Sequence, residues 1–147
     1  MFHNANYVVV PTSRNTPKAI EWCKNLGQVL GFARISELSP EEHDQVIGFV
    51  SQLMHVIAVV LMECSGNEHL ADYTGDSFRD LTRIARINDA MWSELFMTNK
   101  DALLDSMDMF SREFESFRKM VAAGDVEGIR QAMRLSSERR AWFDKRS

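Results

Sequence analysis

The stretch SPEEHDQVIGFVSQLMHVIAVVLMEC, residues 39–64, decides how the chain folds. Ser39 can accept from first-turn amides, Pro40 needs no donor there, and Glu42 stands where a capping box requires it. Behind this start signal Val46, Ile47, Val50, Leu53, Met54, Ile57 and Leu61 recur at helical spacing. One long helix to about Cys64 is expected, ended by Ser65-Gly66-Asn67.

Toward the N-terminus the period changes. Tyr7 to Val10 is aromatic and β-branched and is stopped by Pro11-Thr12. Thr16 and Pro17 open a helix bearing Ile20, Cys23 and Leu26 to Leu30, and Gly31 stands at its end. Phe32 to Leu38 reads as a second short strand. Two short strands make no stable sheet alone, so this strand-helix-strand segment wants more sheet than the chain contains. Met1 leads directly into the first strand, as expected of a piece of a longer chain.

Toward the C-terminus everything reads as helix. After a loop reaching Gly75, a short helix from Asp76 or Ser77 should turn Phe78, Leu81, Ile84 and Ala85 inward. Asn88-Asp89 starts the next helix, with Met91, Trp92, Leu95 and Phe96. Between Asp101 and Ala123, Leu103, Met107, Phe110, Phe114, Phe117 and Val121 alternate by four and three, the seam of a helix packed lengthwise on another. Each of its phenylalanines is worth about 2 kcal/mol if fully buried. Gly124 ends that helix, Asp125 caps another, and Ile129, Met133 and Phe143 mark its apolar side. The expected architecture is mainly α, a helical bundle over residues 39–147 behind a strand-helix-strand remnant over residues 1–38, and a seam so apolar suits a dimer.

Composition narrows the function. The 147 residues are 45% hydrophobic and 26% charged, the balance of a folded globular chain, and a net charge of -4 gives no reason to expect nucleic acid or an acidic membrane as partner. No run approaches the ~18 to 20 consecutive apolar residues of a membrane span, and no secretory signal is visible, so a cytoplasmic protein is expected. Cys23 and Cys64 form no metal-ligand spacing and are expected to be buried, reduced thiols. The glycines form neither G-x-G-x-x-G nor a phosphate-binding loop, so this chain alone is expected to bind no cofactor or metal and to catalyse nothing.

Two groups of residues could carry chemistry. At about 100° per residue Arg79, Arg83 and Arg86 fall within about 60° of one another on a helix, with Asp76 and Asp80 near. Such a stripe either binds a carboxylate through a bidentate guanidinium or is a solvated charged face with local ion pairs. Ser51 and His55, four apart on an apolar border, either face a polar ligand or are satisfied core residues, and Trp92 has the same two readings.

The order of Ser39-Pro40-Glu41-Glu42-His43-Asp44, Ser51-Gln52-Leu53-Met54-His55, Phe78-Arg79-Asp80-Leu81-Thr82-Arg83-Ile84-Ala85 and Met91-Trp92 resembles the C-terminal half of prephenate dehydrogenases. Residues 2–38 resemble the last strand-helix-strand of that family's Rossmann-like domain, and the Gly124-Asp125 turn is also similar. The resemblance implies a homodimer and an oxidative decarboxylation of prephenate to 4-hydroxyphenylpyruvate in tyrosine biosynthesis, using NAD or NADP in the full-length enzyme. It implies that the histidine taking the hydroxyl proton lies upstream of Met1, so His3, His43, His55 and His69 do not have that role. Arg83 matches the arginine that pairs with a substrate carboxylate, and Asp80 would orient it. Ser51 and His55 match positions near the substrate side chain, where tyrosine can also bind, and Trp92 matches an aromatic reaching in from the partner subunit.

This chain departs from the family's S-H-x-P-H, reading Ser51-Gln52-Leu53-Met54-His55, and has Asp76-Ser77 where a second glycine is frequent. Both changes touch the region thought to sense tyrosine. Arogenate dehydrogenase is the near alternative, and a stand-alone helical dimerisation or ligand-sensing module is the alternative from another class.

Overall fold

In the computed structural model the described residues are 2 and 5–144, so Met1, His3 and Asn4 lie outside them. The chain divides into two compact units, residues 1–106 and 107–147.

The first unit begins as a βαβ segment. Strand β1 (Asn6–Val9) pairs in parallel with β2 (Arg34–Glu37), Asn6 opposite Arg34 and Val9 opposite Glu37. Helix α1 (Pro17–Val29) connects them, its N-terminus capped by the Thr16 hydroxyl, which accepts from the Ala19 amide at 3.2 Å. Gly31 takes φ +76 just past its end, a left-handed turn that glycine adopts freely. Gly27 is buried against the sheet, where an added methyl would stand 2.8 Å from the Tyr7 ring.

Helix α2 (Pro40–Ile47) starts with the expected capping box: the Glu42 amide donates to Ser39 Oγ at 3.1 Å, and the Ser39 amide donates to the Glu42 carboxylate at 2.8 Å. The expected single helix to Cys64 is interrupted. Gly48–Gln52 form a π turn, in which the Leu53 amide reaches back to the Gly48 carbonyl, before α3 (Leu53–Glu63) resumes. A π turn inserts one residue into the helical ladder and rotates the remainder of the helix, a change that apolar periodicity does not reveal. The expected apolar face is split accordingly: Leu53 and Ala58 are buried, while Val46, Val50 and Met54 are exposed.

Taken together, Pro40–Glu63 is long and apolar enough to cross a membrane by length and composition, which corrects the expectation that no stretch approaches this. Residues 45–62 contain no Asp, Glu, Lys or Arg, and only Gln45, Ser51, Gln52 and His55 among them are polar. Gln52 is 4% exposed and hydrogen-bonded within the protein, the packing of a helix against protein.

A 3-10 turn (Glu68–Asp72) precedes α4 (Asp76–Thr82), which tightens into a second 3-10 turn (Arg83–Ala85). Both α4 and this second turn pack on α3. Leu81, expected inward, is 55% exposed, while Phe78, Ile84 and Ala85 are half-buried as expected of an inward face. Cys64, expected buried, is exposed just past the end of α3; Cys23 is half-buried, and both thiols are free. Asn88 caps α5 (Asp89–Thr98) through the Met91 amide. Asn99 links it to α6 (Lys100–Ala123), whose Leu103 and Ser106 are buried.

The second unit holds the rest of α6 from Met107, then α7 (Val126–Arg140) and a 3-10 turn (Ala141–Phe143). Gly124 at φ +65 makes the left-handed stop, and Asp125 caps α7 by accepting from the Gly128 amide at 2.9 Å. Among its described residues none is buried. Phe110 and Phe114 stack at 6.1 Å, yet Phe114 is 63% exposed and Phe117 and Val121 are also exposed.

Candidate functional site

The π turn and α3 hold the first pair of candidates. Ser51 lies in the π turn, half-buried, and its carbonyl accepts from His55 Nδ1 at 2.9 Å. A carbonyl can only accept, so the hydrogen sits on Nδ1 and a neutral His55 keeps Nε2 as a bare acceptor. The imidazole of His55 lies on the indole of Trp92, ring centroids 3.7 Å apart and planes 29° from parallel. Trp92 in turn meets Phe96 at 5.6 Å, so α5 presents a short aromatic ladder to α3. The stack joins two helices of one chain, α3 and α5.

The arginine stripe does not form on one helix. Arg79 is on α4, Arg83 opens the 3-10 turn, and Arg86 lies beyond it with extended backbone, φ -77 and ψ 92. The Thr82 hydroxyl donates to the Phe78 carbonyl at 2.7 Å as the helix ends, and the Asn88 cap comes too soon for the α-helix to continue. Arg79 takes Asp76 at 3.5 Å, an exposed pair of small energetic weight. Among the described residues no ion pair joins Asp80 to Arg83; both are exposed. Among the described residues the guanidinium of Arg83 has no ion-pair partner, and its turn packs against α3, the helix that carries His55. The structure thus brings His55, Trp92 and the Ser51 carbonyl together and leaves Asp80 on α4 and Arg83 on the turn that follows it.

A flat aromatic surface with one bare imidazole acceptor, and a guanidinium on a turn packed against the same helix, are groups suited to a cyclic or aromatic acid. The connection from β1 to α1 runs through Pro11 and contains no glycine, so it offers no close approach of amides to a pyrophosphate. Among the described residues no group of His, Cys, Asp or Glu is arranged to hold a metal.

Two residues that sequence reasoning passed over shape this region. Gln52 donates from Nε2 to the Leu95 carbonyl at 3.0 Å and accepts from Asn99 Nδ2 at 2.9 Å. Asn99 also donates to the Asp44 carbonyl at 2.9 Å. A polar amide inside an 18-residue uncharged run is the signal that could have found Gln52. Nothing local marks Asn99. A cavity of about 580 Å³ lies nearby, lined by Leu61, Met62, Cys64, Phe78, Arg79 and Thr82 among others, and by none of the five candidates.

The model of the family described as prephenate dehydrogenase, dimerization domain, matches residues 39–135. A prephenate dehydrogenase of Bacillus subtilis (strain 168) is 35% identical over 134 residues, covering 88% of this chain and 36% of that protein. Among solved structures, prephenate dehydrogenase from A. aeolicus in complex with hydroxyphenyl propionate and NAD+ superposes with TM-score 0.82 at 25% identity, covering 93% of this chain and 49% of the other. Synechocystis arogenate dehydrogenase, at TM-score 0.86 and 22% identity over 97% of this chain and 54% of its own, shares the fold. The chain thus spans between about a third and about half of the length of these proteins. With the motifs from Ser39 to Trp92 in order and the family match running across both units, this chain belongs to the prephenate dehydrogenase dimerization-domain family.

Proposed function

We propose that this chain is the dimerising, substrate-binding part of a cytoplasmic enzyme that oxidises and decarboxylates prephenate to 4-hydroxyphenylpyruvate with NAD or NADP, in tyrosine biosynthesis. The reaction removes a hydride from the ring carbon bearing the hydroxyl, releases carbon dioxide and leaves an aromatic ring. A dinucleotide bound to the rest of the enzyme would supply the hydride acceptor. The residues of this chain bind and orient the substrate. Prephenate is a dianion whose ring becomes aromatic as it reacts, and it needs a fixed cation and a wall against the ring. Arg83 supplies the cation and pairs with a carboxylate. His55 and Trp92 supply the surface, with Ser51 holding His55 in one tautomer, and Asp80 borders Arg83. Tyrosine, which is product-like, takes the same wall.

The His55–Trp92 stack, with the turn that carries Arg83 packed on the same helix α3, supports this reading. The relative from A. aeolicus, bound to hydroxyphenyl propionate and NAD+, supports it at the level of ligand class. Calorimetric titration of prephenate into the full-length protein, wild type against Arg83→Ala, tests it. Losing the charge-assisted pair should cost about 2 to 5 kcal/mol of binding. Equal affinity in the two proteins removes Arg83 from the site and the substrate wall with it. Arogenate, titrated in parallel, separates the two substrates by the ratio of their affinities.

A further inference from the structure

We infer that Gln52 and Asn99 are positioning residues: their amide link locks the π turn and so holds the His55–Trp92 stack in place. The inference rests on the proposed substrate wall for its functional meaning, though its geometry stands without it.

The link lies one helical turn from the stack on both elements. Gln52 is three residues before His55, and Leu95, whose carbonyl Gln52 takes, is three residues after Trp92. Residues three apart on a helix share a side, so a tie from residue 52 to residue 95 fixes the azimuth of α3 against α5 where the two rings meet. Asn99 completes the tie with both of its amide hydrogens, one to Gln52 Oε1 and one to the Asp44 carbonyl before the π turn. Asn99 therefore ties the last residue of the inserted turn, and the α2 backbone ahead of it, to the α5–α6 junction. Gly48 permits this closeness, since its Cα faces the Ala102 carbonyl with no room for a methyl at ordinary contact distance.

The energetics point the same way. A π turn is rare and has poorer hydrogen-bond geometry than the α-helix it interrupts, so it persists only where surroundings hold it. Gln52 is 4% exposed, and its paired Nε2 and Oε1 would each cost a full desolvation penalty if unmade. Relaxing the turn to a regular α-helix would rotate α3 by about 100° relative to α2. His55 would then leave the Trp92 face. At position 52, where the family motif S-H-x-P-H has its first histidine, the side chain in this protein points into the bundle rather than toward a ligand.

The test has two arms. In the first, proton resonances of the His55 ring are recorded in the 147-residue chain. Stacked under an indole, they are displaced upfield of those of exposed His69. Gln52→Leu keeps bulk and removes both hydrogen bonds; it should return the His55 signals to the position of His69, with helical circular dichroism retained. The exchange Gln52→Asn with Asn99→Gln, which keeps an amide pair of the same total length, should restore the displacement. Where Gln52→Leu costs helical content, Asn99→Ala and the exchange decide the matter by the same signal. Upfield resonances that persist in Gln52→Leu or in Asn99→Ala overturn the inference.

In the second arm, steady-state kinetics of the full-length protein with prephenate should show KM rising roughly tenfold in Gln52→Leu with kcat little changed, the sign of lost ligand positioning. Hydroxyphenyl propionate serves as the equilibrium probe. If His55→Ala leaves its affinity untouched, the substrate-wall reading fails, whereas the resonance arm still decides the role of Gln52 and Asn99.

Discussion

The imidazole of His55 and the indole of Trp92 are stacked 3.7 Å apart although 37 residues separate them in sequence, and a hydrogen bond from Nδ1 to the Ser51 carbonyl holds the imidazole in a single tautomer. Aromatic pairs of this kind are worth about 0.5 to 1.5 kcal/mol beyond the area they bury. A double-mutant cycle of His55→Ala and Trp92→Ala, measured by urea denaturation, should return a coupling energy in that range. Strict additivity would mean that the rings touch without stabilising one another.

Gly48 should resist replacement. On helix propensity alone Gly48→Ala would stabilise by about 1 kcal/mol. The added methyl, however, would stand 3.1 Å from the Ala102 backbone carbonyl, which cannot swing aside as a side chain can. Overpacking of that sort costs about 1 to 3 kcal/mol, so the net effect should be destabilising. A raised Tm for this variant would show that α6 yields at no cost.

Acid should loosen the start of α2. The Ser39 backbone amide, and after it the Ser39 hydroxyl, hold the Glu42 carboxyl below the usual glutamate range. A carboxyl whose folded pKa is depressed contributes stability that is complete above its unfolded value and is lost as pH falls through the folded value. Protection of the first-turn amides of α2 against hydrogen exchange should therefore decline below the ordinary glutamate range, and Glu42→Gln should flatten that decline. Ser39→Ala, which removes the cap itself, should cost about 1 kcal/mol at neutral pH.

Self-association should depend on the α6 seam. Phe110, Phe114, Phe117 and Val121 are exposed on one side of a helix whose unit has no buried residue among those described. In the proposed homodimer a second copy covers them. Phe114→Asp should shift sedimentation velocity from dimer to monomer at micromolar concentration while leaving the His55 resonances in place. Unchanged sedimentation would move the dimer contact off this seam and toward the exposed stripe of Val46, Val50 and Met54.

Much of the fold was legible because its signals are local. Thr16, Ser39, Asn88 and Asp125 each cap the next helix along the chain, and Gly31 and Gly124 take the left-handed turns that end helices. These features depend on hydrogen bonds within four residues, and short-range spacing shows them directly. The arginine stripe failed for the opposite reason. It assumed that α4 would continue past Thr82, and neither composition nor periodicity marks where a helix tightens to 3-10.

The amino-acid sequence by itself determined where most helices are capped, which apolar residues share one side of α6, and the family to which the ordered motifs point. Tertiary structure alone decided that the helix from Pro40 breaks into a π turn, that Gln52 faces inward, and that His55 finds Trp92. The reason is range. Caps and periodicity are set by neighbours along the chain, whereas the π turn is held by an amide 47 residues away, and only folding brings Asn99 to Gln52.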